Sequence, residues 1–170
     1  MKAHILGNGP SHILYTPSDG YVIGCNFQQH PVDVSVIVDC KPYHIYLRDR
    51  NMIPTKRLIT SKYAIEAALK PKNILHEFEI VEEVPFLGKY VSAGHIAVDW
   101  ALRNHYTELH LWGFDSIWAD TQETKTDAII DRTRAQFDLF IHWREKWQQY
   151  KENNIIVHNT IEGTQLKELL

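Results

Sequence analysis

Cysteine is scarce: the chain carries two, Cys25 and Cys40, each in or beside its own apolar run, with no Cys-x-x-Cys and no zinc-ligand spacing. That excludes a disulfide scaffold and a zinc ribbon. Two buried free thiols are the reading that remains, and they suit a reducing compartment, the cytoplasm. No apolar stretch approaches the roughly 20 residues a membrane span requires, and the opening Met1-Lys2-Ala3-His4-Ile5-Leu6-Gly7 runs straight into a motif, so no signal peptide is expected. A basic excess is also missing. Lys and Arg total 18 against 21 Asp and Glu, for a net charge of −3, whereas non-specific nucleic-acid or membrane binding needs positive charge. The one basic run, Arg48, Arg50, Lys56 and Arg57, contains Asp49 and reads as a solvated face. Glycine and proline number only 8 and 7, and 44% of residues are hydrophobic, so neither disorder nor low complexity is indicated.

What is present is an alternation of strand and helix signals over 170 residues, a length that suits one domain spanning 1–170. Ala3–Leu6, Tyr21–Cys25 and Val34–Val38 are apolar or β-branched runs closed by glycine or polar residues, as central strands are. Lys56–Thr60 and Asn73–His76 read as shorter strands around a helix at Ser61–Leu69, with Ser61 as its N-cap and Lys70-Pro71 as its stop. Ala93–Asn104 has Ile96, Ala97, Trp100 and Ala101 at helical spacing, and Glu108–Trp112 follows as a strand ending at Gly113. Asp127–Tyr150 carries the apolar stripe of a long amphipathic helix, Ile155–Val157 is a last strand, and Thr164–Leu170 a closing helix. The pattern predicts an α/β Rossmann-like domain, a mostly parallel sheet with helices on both faces.

In open parallel sheets ligands gather at the carboxyl ends of the strands. Four polar loops fall there: Gly7-Asn8-Gly9-Pro10-Ser11, Asn26-Phe27, Ser92-Ala93-Gly94-His95, and the loop from Gly113 to Trp118. A glycine-rich turn after the first strand lets backbone N–H groups approach a phosphate, and Pro10 and Ser11 suit a turn or helix start beyond it. The same glycines serve a tight turn with no ligand equally well. Ser92-Ala93-Gly94 opens a helix, whose free N–H groups and positive dipole end offer a second anion site, or simply a capped terminus.

Together these segments resemble the small bacterial sialyltransferases that use CMP-sialic acid, and the pterin diphosphokinase-like proteins related to them in fold. Gly7–Ser11 resembles their opening motif and Cys25-Asn26 the Cys-Asn pair of their second strand. Ser92–Gly94, then a strand ending Gly113-Phe114-Asp115, is similar to their Ser-Gly helix and Gly-(Ile/Phe)-Asp strand end, and His158-Asn159-Thr160 to their late Asn-Ser turn. The resemblance implies that Asn8 and Asn26 contact nucleotide phosphate or sugar, that Ser92, Ala93 and Gly94 hold base or ribose, and that Asn159 and Thr160 close the nucleotide end. It also has gaps. Ala93 stands where the family has serine, Trp118 is the nearest aromatic to the expected tyrosine pair, and Thr121–Tyr150 reads as loop plus helix rather than a separate lid.

Of the ten histidines, His110 and His142 read as structural, whereas His95, just past the Ser92–Gly94 turn, is a candidate general base or phosphate ligand. Asp115 is the second catalytic candidate. Asp115 and Asp120 on one loop, joined by Asp39 at the end of the third strand, are candidates to hold Mg²⁺ against a diphosphate, with no organic cofactor expected. The function expected is a transferase acting on a nucleotide or nucleotide-activated sugar. The alternatives are a nucleotide-binding module without chemistry and diphosphokinase-like transfer to a heterocycle. A homo-oligomer is possible, and nucleic-acid partners are not expected.

Overall fold

The computed structural model describes residues 1–85, 88–121 and 139–170. Eight strands form one sheet: β1 (Lys2–Leu6), β2 (Tyr21–Cys25), β3 (Val34–Val36), β4 (Arg57–Ser61), β5 (Glu79–Val84), β6 (Glu108–Trp112), β7 (Ile155–Val157) and β8 (Thr164–Gln165). Their spatial order is β5-β4-β3-β2-β1-β6-β7-β8, and every neighbouring pair is parallel except β7 with β8. The chain winds outward from β1 in one direction, then returns and winds outward in the other, so the order reverses between β1 and β6.

Central strands are buried on both faces, which is why they read as continuous apolar runs. In β1 the alternation sends Ala3 and Ile5 to one side and His4 and Leu6 to the other, all with 2% exposure or less. The Ala3/Ile5 side packs with Ile23, Val34, Leu109 and Leu111 against α3 (Ala93–Arg103) and Trp147 of α4 (Leu139–Trp147). Leu166 of α5 (Leu166–Leu169) closes that core. On the opposite side Leu58 of β4 packs with Tyr43 and Tyr46 of α1 (Lys41–Tyr46), and with Ile65, Ala68 and Leu69, where α2 (Lys62–Ala64) widens into a π-helical turn. Helices therefore cover both faces, as expected for a Rossmann-like domain.

Ser61 caps α2 as read from the sequence, its Oγ accepting the N–H of Ala64 at 2.9 Å. The strand expected at Asn73–His76 is absent. Asn73 adopts φ +53, the left-handed region, and Leu75–Glu77 is a 3-10 turn. The fifth strand is instead Glu79–Val84, an edge strand whose glutamates hid it from an apolar-run search. α1 was missed because six residues give too little periodicity, although Tyr43 and Tyr46 are fully buried three apart. The closing helix is shorter than expected, since Thr164 and Gln165 pair antiparallel with β7. Of the long helix expected at Asp127–Tyr150, residues 127–138 lie outside the described residues. No helix among the described residues is long and apolar enough to cross a membrane.

Candidate functional site

The reversal between β1 and β6 splays two strand ends apart, and ligands of open α/β sheets sit in that crevice. Gly7, Asn8 and Gly9 leave β1 there, and Gly113, Phe114 and Asp115 leave β6. Both sets line an open cleft of about 700 Å³, together with Ser92, Ala93 and Gly94 at the start of α3. Asn26, after β2, and Asp39, after β3, extend the cleft along the sheet edge, and Trp143 and Trp147 of α4 form a wall. The structure thus gathers the Gly7–Gly9, Asn26, Ser92–Gly94, Asp39 and Asp115 candidates in one place. Pro10, Ser11, His95, Asp120, Asn159 and Thr160 do not line it.

The two strand-end loops are stitched together. Gly7 N–H donates to Trp112 O at 2.7 Å and Gly9 N–H to Gly113 O at 2.8 Å. Ser11 donates to the Asp115 carboxylate from both its N–H, at 3.0 and 3.1 Å, and its Oγ, at 2.7 Å. Among the described residues these bonds occupy three of the loop's backbone N–H groups, and Pro10 has none; that of Asn8 remains. The Asn8 side chain is a brace. Its Nδ2 donates to Cys25 O at 2.7 Å, and Gln28 Nε2 donates to the same carbonyl and to Leu6 O, each at 3.0 Å. Gln28 was not singled out in the sequence, because nothing local marks a buried amide that ties β1 to β2.

The glycines answer to packing. A Cβ on Gly94 would lie 2.2 Å from Phe114 Cε1, and one on Gly9 would lie 2.4 Å from Asp115 Oδ2 and 2.8 Å from Gly113 O. The Phe114 ring is wedged against the first turn of α3. Close approach of backbone, anticipated for a phosphate, is already required by the neighbouring loop.

His95 is 2% exposed and both ring nitrogens are engaged. Nδ1 accepts the Ser92 N–H at 3.0 Å in a capping box, and Nε2 lies 3.2 Å from Trp143 O on α4. Burial pushes its pKa down to about 4, opposed by the Trp143 carbonyl. The ring is neutral and bridges α3 to α4, while the N–H groups of Ala93 and Gly94 stay in the first turn, where no intrahelical partner exists. Burial likewise raises the Cys25 thiol to about 12, so it is no nucleophile. Asn26 holds φ +56 where it faces the cleft, a strained conformation of the kind found at binding sites.

The three carboxylates read as a Mg²⁺ set do not converge. Asp39 and Asp115 line the cleft, but Asp120 is exposed and pairs with Arg144 at 3.1 Å. Among the described residues no group of three or more His, Cys, Asp or Glu side chains is placed to share a metal ion. Asn159 and Thr160 occupy the turn between β7 and β8, where Asn159 Oδ1 accepts the Thr164 hydroxyl and Thr160 Oγ1 the Gly163 N–H.

A doubly wound sheet with a cleft at its switch point defines an open α/β, Rossmann-like protein. Comparison with solved structures agrees at the level of fold. The sialyltransferase CST-II in complex with trisaccharide acceptor and CMP superposes with a TM-score of 0.52 at 14% identity, over 92% of this chain and 80% of that one. CstII from Campylobacter jejuni in complex with the substrate analogue CMP-3FNeuAc gives 0.52 at 13% identity, over 97% and 86%. Thiamine pyrophosphokinase from Bacillus subtilis reaches only 0.43 at 15% identity, over 92% and 59%. No protein-family model matches the chain, and no curated protein does.

Proposed function

We propose that this chain is a transferase acting on a nucleotide or a nucleotide-activated sugar. The observation that carries the reading is the cleft itself: the first turn of α3 and the Gly7–Gly9 loop face each other across the switch point. In this reading the N–H groups of Asn8, Ala93 and Gly94 hold a phosphate, and the Asn26 amide binds the adjoining sugar. His95 acts through the capping box, fixing the helix start rather than moving a proton. Asp115 and Asp39 would be the two protein carboxylates for a Mg²⁺ shared with ligand phosphates, since that ion commonly takes one or two carboxylates and completes its shell with phosphate and water. Asn159 and Thr160 would reach only a ligand extending past the cleft. The solved proteins of similar fold are complexes with CMP and with CMP-3FNeuAc, which is consistent with a nucleotide ligand here.

The test is calorimetric titration with CMP, UDP, GDP and ATP and with their sugar conjugates, followed by assays of hydrolysis and transfer. Tight binding of one nucleotide with turnover of its conjugate is the expected result. Binding without turnover of any conjugate moves the assignment to a nucleotide-binding module, and no binding at all overturns the cleft assignment.

A further inference from the structure

Away from the cleft, on the sheet face opposite α3, a chain of hydrogen bonds runs from Glu108 through His110 to His158. His158 Nδ1 lies 3.1 Å from Ile161 O, and the backbone of Thr160 also bonds the ring. A carbonyl only accepts, so Nδ1 carries the hydrogen. In a neutral ring Nε2 then bears the lone pair and must accept; its partner is His110 Nδ1, at 2.8 Å, which therefore donates. His110 Nε2 faces Glu108 Oε1 at 2.8 Å. The hydrogen bond from His110 holds the Glu108 carboxyl below its ordinary range, so that oxygen accepts too. Three hydrogens are needed on two rings that, when neutral, carry two.

We propose that Glu108, His110 and His158 form a protonated clasp, in which one proton beyond those of two neutral imidazoles locks the turn of residues 159–163 onto the sheet. The proposal is independent of the function proposed for the cleft. With that proton gone, one of the three bonds sets acceptor against acceptor. The Glu108 carboxylate keeps a hydrogen on His110 Nε2 and the Ile161 and Thr160 carbonyls keep one on His158 Nδ1, so His110–His158 is the bond that parts.

The surroundings favour a single extra charge. Lys2 Nζ stands 3.6 Å from Glu108 Oε1, so the carboxylate balances two cations. The His4 ring, 5.1 Å from His110, is neutral because Trp112 Nε1 donates into its Nδ1 at 3.2 Å. Its Nε2 meets Asp19 O at 3.1 Å and the Ser18 hydroxyl. Trp112 stacks flat on His158, 3.4 Å between centroids at 3°, which fixes that ring's plane. The turn is moulded to the ring: Gly163, at φ +80, brings its Cα so close that a Cβ would lie 3.2 Å from His158 Nδ1.

The experiment is long-range ¹H–¹⁵N spectroscopy of the imidazoles in the intact chain, combined with hydrogen-exchange protection of the Gly163 amide, from about pH 5 to 8. His158 should stay the Nδ1–H tautomer while His110 carries hydrogens on both nitrogens at the acid end. Protection at Gly163 should fall about tenfold as His110 loses one of them, the loss expected for a hydrogen bond to a charged group. Glu108→Gln, which keeps an accepting oxygen but removes the charge, should move that loss to lower pH. A neutral His158 protonated on Nε2, protection that does not follow His110, or a Glu108→Gln profile identical to the parent would each overturn the clasp.

Discussion

At the scale of single residues, the cleft is built from side chains and glycines whose partners are close and countable. Gly94→Ala would place a methyl 2.2 Å from Phe114 Cε1, so we expect a loss of about 1–3 kcal/mol, the usual cost of overpacking, read as a lower urea midpoint at unchanged slope. Gly9→Val should do more than exclude a phosphate. Its Cβ meets Asp115 and the Gly113 carbonyl, so the variant should lose stability as well as ligand, and intact stability would contradict the packing described. The positions of these glycines were legible in the sequence, but their reason was not. The Asp115 carboxylate that presses on Gly9 comes from the loop after β6, near the other end of the chain, and the Phe114 ring that presses on Gly94 comes from beyond the whole of α3, and nothing local reports such contacts. Gln28 was hidden because its Leu6 partner lies on another strand, and His95 beside its glycine turn reads as reactive although the Trp143 carbonyl and the Ser92 amide take both its nitrogens.

At the scale of elements, the loops after β1 and β6 behave as one unit because Ser11 and Asp115 bridge them. Ser11→Ala removes the 2.7 Å hydroxyl bond but leaves the backbone one, so about 0.5–1.5 kcal/mol should be lost, measured by chemical unfolding. Asp115→Asn weakens all three bonds and should cost more than Ser11→Ala; the reverse order would sink the bridge. Central strands and α3 were readable because burial on both faces of a strand, or on one stripe of an eleven-residue helix, writes a long apolar signature. β5 and α1 were not: one is an edge strand rich in glutamate, the other has too few residues for a period to show. The cleft followed from the strands, since β1 and β6 were both recognised and the crevice lies where their order reverses.

For the whole molecule, acid should be the weak side. Burial holds His95 and His158 near 4, below the roughly 6.5 of an unfolded histidine. Between those values the unfolded chain binds more protons, so stability rises with pH there. It is complete above about pH 6.5 and falls by an amount on the order of a few kcal/mol as pH drops toward 4. Thermal midpoints that stay level over that window would refute neutral burial of these rings. Occupancy of the cleft acts in the same currency, since a ligand at 100 times its Kd adds roughly 2.7 kcal/mol.

The rims of the sheet carry one more consequence. On the outer strand β5 the side chains of Glu79 and Glu83 are exposed, so a second copy laid alongside would set carboxylate against carboxylate. The far rim, β8, is two residues long and offers almost no ladder to copy. Growth of the sheet from molecule to molecule into a fibre is disfavoured at both rims of the described sheet.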